Sequence, residues 1–429
     1  MQIKSLYWSF ILAAVFAAGC STPKPLTLMT TPVLYTDAGV DPFAHLGPKD
    51  KTVNTSVFFA TNRERQKTGD ERTAYGNGIG EYLHLGRAVV RMGTEETSWD
   101  DLYRASTTRK RTAPIPLQVQ DVLEMASLDP KYAEHLPDII PPGLQAFASA
   151  IDAELARATD KEIMLYVHGA KTNFQKAVTL AAELDHFAGR DFVGFAFAWP
   201  SHQNIFTYLL GTDVHRAWNS ALALHTVIDF LARYTMVERI NIICYSAGGR
   251  VASKALFEMY RTHIHLSKEE LKKQFKLGTV IFAASDVSLD VFLQRLPAIS
   301  RLAQKVVVTV SDADNVLRAA GDFMGGDERI GSQKAGVEEE KFARTHRIDN
   351  FEIIDFSRGK RQRGFDITGH HYWYRHPWAS SDIIFLLRTD LPAQRRGLAP
   401  ADLDSVWYLN HEYPERVRKA AKKELKGQW

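Results

Sequence analysis

The stretch INIICYSAGGRVASKAL, residues 240–256, runs from an apolar, β-branched segment through a lone hydroxyl and two glycines into a helix-like pattern. Ile240, Ile242, Ile243 and Cys244 form a run with little polar interruption, as expected of a strand covered on both faces. After Ser246, the residues Val251, Ala255, Leu256 and Met259 recur at helical spacing. A strand that passes directly into a helix needs a tight, strained turn, and Gly248 and Gly249 let backbones approach there. Such an elbow lifts the Ser246 hydroxyl above the sheet and makes it a candidate nucleophile. The plainer alternative is a small residue fitted to a crowded turn.

Outward from this stretch, short apolar runs of the same kind occupy residues 163–167, 192–198, 279–284, 306–310 and 351–356. Most are separated by segments long enough for a helix, and AWNSALALHTVIDFL at 217–231 is amphipathic at helical period. Apolar strands joined by helices predict a doubly wound, mostly parallel α/β sheet covered on both sides. Upstream, SVFFATNRER at 56–65 and LGRAVVRM at 85–92 predict two further strands, an N-terminal extension, with YGNGIG at 75–80 as the turn region between them. Residues 95–143 are charged and proline-rich and are expected to be irregular segments and short helices over one edge, followed by a helix carrying Leu144, Phe147, Ile151 and Leu155.

In open α/β sheets ligands bind outside the carboxyl ends of the strands, so chemistry is sought there. A serine nucleophile needs a base, and the base an orienting acid. The segment after 310 offers Asp312 and Asp314; the segment after 356 offers His370 and His371; Asp286 follows the strand ending at 284. The order Ser, Asp, His is that of α/β hydrolases. Oxyanion donors are expected from the backbone N–H groups of Ala170, in the glycine-containing loop HGAKTN at 168–173, and of Ala247, at the start of the helix. His168 is expected to be structural, and Cys244 a small buried hydrophobe.

Taken together, VFFATNRER (from Val57), YGNG and LGRAVV, LYVHGAKTNF (Leu165), FAFAWPS (Phe195), ICYSAGGRV (Ile243), FAASDVSLDVF (Phe282), SDADNVL (Ser311) and GHHYW (Gly369) resemble the DUF900 group of α/β hydrolases over about residues 55–385. The resemblance implies the α/β-hydrolase fold, an esterase- or lipase-like activity, and Ser246, Asp314 and His370 as nucleophile, acid and base. Asp286 or Asp312 remains the alternative acid and His371 the alternative base. The chain departs from the family in having Cys244 two residues before the serine, where a Gly or Ala is usual. It also has Tyr245 directly before it, where His is frequent. These changes predict a slightly opened elbow and an altered pocket wall.

The bulk composition agrees with a large globular domain: 429 residues, 45% hydrophobic, with a formal net charge of +3. That balance excludes a nucleic-acid footprint built on global charge. The first residues, MQIKSLYWSFILAAVFAAGC, have a charged start, an apolar stretch too short to span a bilayer, and a tail that resembles the lipobox of bacterial lipoproteins. The expected organisation is a signal peptide at 1–19, a lipidated Cys20, a flexible tether at 20–54, the hydrolase domain at 55–395 and a basic tail at 396–429. Only Cys20 and Cys244 are present, so the fold is expected to hold without a disulfide. Ser21 points to the outer membrane, periplasmic face. The basic run RGKRQR at 358–363 precedes His370 and reads first as a solvated loop.

These readings converge on a cofactor-free serine hydrolase acting on a small-molecule or lipid ester, with water or another acceptor taking the acyl group. The rivals are a non-catalytic envelope binding protein on the same scaffold, an acyltransferase, and a metal hydrolase built on His370, His371, His376 and Asp366. Oligomeric state is not legible.

Overall fold

The structure, a computed structural model, describes residues 26–37, 39–66, 74–129, 136–204, 207–208, 211–323, 327–331, 337–357, 369–403 and 405–425. In chain order the strands are β1 (Asn54–Gln66), β2 (Ala74–Met92), β3 (Leu117–Leu128), β4 (Glu162–Val167), β5 (Val193–Phe197), β6 (Arg239–Tyr245), β7 (Leu277–Ala283), β8 (Lys305–Val310), β9 (Phe351–Asp355), β10 (Ala399–Pro400) and β11 (Val406–Tyr408). The helices are α1 (Trp99–Thr107), α2 (Pro142–Leu155), α3 (Phe174–Phe187), α4 (Thr212–Tyr234), α5 (Gly248–Thr262), α6 (Lys268–Phe275), α7 (Leu289–Leu302), α8 (Asn315–Phe323), α9 (Val337–Thr345), α10 (Tyr372–Arg375), α11 (Pro377–Thr389) and α12 (Tyr413–Glu424).

Among the described residues these strands form one 11-stranded sheet in the order β10-β11-β9-β8-β7-β6-β4-β5-β1-β2-β3. From β11 to β1 every neighbouring pair is parallel, and β10, β2 and β3 add antiparallel edges. The central strands are buried on both faces because one apolar cluster lies on each side of the sheet. One includes Phe147, Ile228, Leu256 and Phe292, from α2, α4, α5 and α7. The other includes Phe174, Phe385 and Val417, from α3, α11 and α12. This is the doubly wound architecture expected from the alternation of apolar runs and helices, with the fold of an α/β hydrolase.

Four stretches differ from expectation. YGNGIG is not a turn: it lies inside β2, and its glycines let β1 pass closely, since a Cβ on Gly80 would sit 2.6 Å from the Arg63 carbonyl oxygen. Residues 117–128 form a long edge strand, whose pairing with β2 shifts register twice and so breaks the apolar alternation. The expected tether is packed from Leu26 onward: Leu28, Val33 and Leu34 are buried, the Leu34 N–H donates to Ser381 Oγ at 3.3 Å, and the Tyr35 hydroxyl donates to the Phe187 carbonyl. The C-terminal tail is likewise integrated, because Tyr413, Val417 and Ala421 recur at the spacing of one helix face and α12 buries that face. Residues 1–25, with the expected signal peptide and Cys20, and the basic run 358–363 lie outside the described residues.

Candidate active site

Ser246 sits directly after β6 with φ +51, a left-handed conformation that costs a non-glycine residue about 1–2 kcal/mol. The neighbours hold it there. Its N–H donates to the Ala283 carbonyl at 3.0 Å, and its own carbonyl accepts from Gly249 N–H at 3.0 Å and Asp286 N–H at 3.1 Å. Glycine is required after it: a Cβ on Gly248 would lie 2.4 Å from the Val167 carbonyl oxygen and 2.6 Å from that of His168. On Gly249 it would lie 2.0 Å from Ser285 Oγ. The elbow is therefore wedged between the ends of β4 and β7.

His370 Nε2 is 2.9 Å from Ser246 Oγ, and His370 Nδ1 is 2.7 Å from Asp314 Oδ2. A carboxylate can only accept, so Nδ1 carries the hydrogen, and the Nε2 lone pair faces the hydroxyl. Asp314 is fully buried after β8, and its Oδ1 accepts the Leu317 N–H at 3.0 Å in the first turn of α8. Gly369 brings the histidine loop in. It has φ +69, and a Cβ there would fall 2.0 Å from the Ala313 carbonyl, next to Asp314. The structure thus assembles Ser246 after β6, Asp314 after β8 and His370 just before α10 into one hydrogen-bonded chain.

The alternative residues are placed elsewhere. Asp312 is exposed, with its backbone N–H held by Ser357 Oγ at 2.9 Å. Asp286 is buried between two guanidinium groups, with Arg250 Nε 3.1 Å from Oδ2 and Arg329 Nε 3.2 Å from Oδ1, and it accepts from the Tyr208 hydroxyl. Burial pushes its carboxyl up to about 7 against the pull of Arg329. The His371 ring lies against Tyr374 at 5.8 Å, and it is His370 that reaches the serine. His376 caps α11 by accepting the Trp378 N–H, and Asp366 lies outside the described residues. Among the described residues no group of three His, Cys, Asp or Glu side chains is placed to hold a metal ion.

The two departures around the elbow are accommodated. Cys244 packs into the core, its thiol donating to the Ile281 carbonyl at 3.1 Å, and burial raises its pKa well above the ordinary thiol value. Thiolate chemistry is therefore disfavoured. The Tyr245 ring packs 5.1 Å from the His370 ring and 5.5 Å from Trp373, so it forms the wall behind the base.

The loop with Ala170 abuts the serine, since a Cβ on Gly169 would lie 3.0 Å from Ser246 Cβ. Ala247 follows directly as the residue capping α5. His168 is buried behind this loop, stacked 5.1 Å from the Trp199 ring, and burial lowers its pKa to about 3. It is therefore neutral. A residue not singled out from the sequence holds the loop: Arg63, fully buried on β1, donates to the carbonyls of Ala198 at 3.1 Å, Thr172 at 2.7 Å and Gly76 at 3.0 Å. VFFATNRER places it among the polar residues Thr61, Asn62, Glu64 and Arg65, so nothing in that stretch marks it as buried.

A family described as "Alpha/beta hydrolase of unknown function (DUF900)" matches residues 144–384. Among curated proteins and among solved structures no significant match is found.

Proposed function

Because the chain belongs to the DUF900 α/β hydrolases, we propose that it is a serine hydrolase that cleaves carboxylic esters through an acyl-enzyme. The observation that carries this reading is the hydrogen-bonded chain from Ser246 Oγ through His370 to the buried Asp314. Ser246 attacks the ester carbonyl while His370 Nε2 takes its proton. Asp314 keeps Nδ1 protonated and stabilises the imidazolium. The N–H groups of Ala170 and Ala247 donate hydrogen bonds to the developing oxyanion, the second aided by the dipole of α5. His370 gives the proton to the departing alkoxide; water, deprotonated by the same imidazole, then attacks the acyl carbon, and the imidazolium returns the proton to Ser246 Oγ as the acyl–oxygen bond breaks and the acid leaves.

In this reading the protein is a lipoprotein of the bacterial envelope, anchored through an acylated Cys20. A graded series of p-nitrophenyl esters tests the activity. Rapid mixing is expected to give a stoichiometric burst of nitrophenol with the wild type and none with Ser246→Ala of unchanged fold. Equal turnover by the two proteins would remove Ser246 as nucleophile.

A further inference from the structure

The chain enters the fold at the starts of the strands, beside the edge strand β3, whereas the candidate nucleophile lies at the carboxyl end of the central strand β6. Leu26 and Leu28 pair with the start of β3: the Leu117 N–H donates to the Leu26 carbonyl at 2.9 Å, and the Leu28 N–H to the Ile115 carbonyl at 2.8 Å. Leu117 is in register with Met92, whose N–H donates to Val53 just before β1. Across the sheet, Phe58 of β1 aligns with Phe195, Leu165 and Ile242. Val53 is five residues before Phe58, and Ser246 is four beyond Ile242, so the two levels differ by nine residues of register along strands that twist against one another, and five strand spacings, about 24 Å, lie between β3 and β6. Between Cys20 and Leu26 the chain can span at most about 21 Å when fully extended.

The surface around that point is basic. Arg111 locks the incoming segment by donating to the Leu28 carbonyl at 2.6 Å, which leaves Arg109 and Lys110 exposed on the same loop. Arg109 and Arg418 of α12 converge on Asp37, at 2.6 and 3.5 Å, so this loop and α12 form one continuous face. On α12, opposite the buried stripe of Tyr413, Val417 and Ala421, Lys419, Lys422 and Lys423 are exposed together with Glu415 and with Glu412, which Arg416 pairs at 2.6 Å, so cations remain in excess on this side. The side chain of Arg395, packed on Glu424 at 2.7 Å, extends the face.

We infer that this face, Arg109–Lys110 together with α12, lies on anionic phospholipid headgroups and points the Ser246 edge away from the bilayer that holds the anchor. The inference rests on the proposed acylation of Cys20. The lipid chains supply the hydrophobic attachment, and the lysines and arginines add electrostatic attraction that fixes the orientation. The substrate is then a water-borne or wall-held ester that approaches from the aqueous side, because the short segment after Cys20 cannot carry the catalytic edge round to its own leaflet.

The test uses the full acylated chain with one added surface thiol, either Thr108→Cys beside the basic loop or Glu81→Cys on the β2 arm beyond the catalytic edge. Each is labelled with a donor fluorophore and reconstituted on phosphatidylglycerol-containing vesicles with headgroup-linked acceptors. Strong energy transfer from position 108 and weak transfer from position 81 is expected; equal transfer, or the reverse, would overturn the orientation. In the unacylated Cys20→Ser form, neutralisation of Lys110, Lys419 and Lys422 to Gln is expected to weaken binding to these vesicles on the order of 100-fold, about fivefold per charge. Unchanged binding would overturn the basic face. Hydrolysis of a lipid ester in the anchoring vesicle as fast as a soluble ester would overturn the substrate assignment. Finding Cys20 unacylated in protein isolated from membranes would remove the anchor and the orientation together, whereas Ser246-dependent hydrolysis of a soluble ester would stand.

Discussion

Replacing Asp314 by Asn separates the role of the acid from its place in the fold. The carboxylate makes two bonds that matter: Oδ2 accepts from His370 Nδ1 at 2.7 Å, and Oδ1 accepts from the Leu317 N–H at 3.0 Å. The asparagine oxygen can keep the bond to Leu317, which places its amide nitrogen toward His370. That nitrogen donates, so the imidazole must turn its Nδ1 lone pair toward it and carry the hydrogen on Nε2. Nε2, 2.9 Å from Ser246 Oγ, can then no longer take the hydroxyl proton. The loss expected for the wrong tautomer is ~10⁴-fold in kcat, about 5.5 kcal/mol of barrier, with KM little changed. The assay pairs steady-state ester hydrolysis with thermal unfolding, because α8 keeps its first-turn bond and Tm is expected to stay within a few degrees. The control is Asp286→Asn, which weakens the ion pairs to Arg250 and Arg329 and is expected to lower Tm while leaving the tautomer of His370 intact. If Asp314→Asn keeps more than a tenth of the activity, or Asp286→Asn loses as much as it does, the assignment of the acid is wrong.

Gly248→Ala pushes a methyl group against the backbone at the end of β4 and the loop with Ala170, where only carbonyl groups can give way. It is expected to destabilise the fold by about 1–3 kcal/mol in urea unfolding and to lower kcat more than KM. Gly143→Ala, whose new Cβ would meet nothing closer than 3.5 Å, is expected to do neither, and equal behaviour of the two would contradict the wedged elbow. Asp185 on α3 is held up to about 8 by burial, against 3.8 as the ordinary value. Below about pH 4 both folded and unfolded chains hold that proton. Between about pH 4 and pH 8 only the folded chain does, so stability falls as pH rises, at about 1.4 kcal/mol per unit. Asp185→Asn is expected to flatten that slope by about one proton in urea midpoints measured across this window; an unchanged slope would contradict it.

How much of this was legible in the sequence depended on how local each signal was. The parallel strands of the centre were visible because burial on both faces leaves unbroken apolar runs, as at 163–167 and 306–310. The β2 arm was hidden because its glycines, placed for the close passage of β1, have the composition of a turn. β3 was hidden because its register shifts interrupt the alternation. The segment from Leu26 looked like a tether because its burial depends on partners distant in the chain, such as Ser381 and Phe187. At the site, strand-end position and residue order pointed to Ser246, to an aspartate after 310 and to a histidine after 369. Residue chemistry alone could not separate Asp312 from Asp314 or His370 from His371, which differ in three-dimensional placement and not in kind. Arg63 acts through contacts with Ala198, just after β5, and with Thr172 in the loop that carries Ala170, which no single stretch of sequence contains.

The central claim is that Ser246 is made nucleophilic by His370, and covalent trapping reads this without knowledge of the natural substrate. Purified protein is treated with a fluorophosphonate and digested, and the modified peptide is mapped by mass spectrometry. A single adduct on the Ser246 hydroxyl, abolished in Ser246→Ala and slowed by orders of magnitude in His370→Ala of unchanged fold, is the expected result. An adduct on a different side chain, or wild-type labelling no faster than that of His370→Ala, would contradict it.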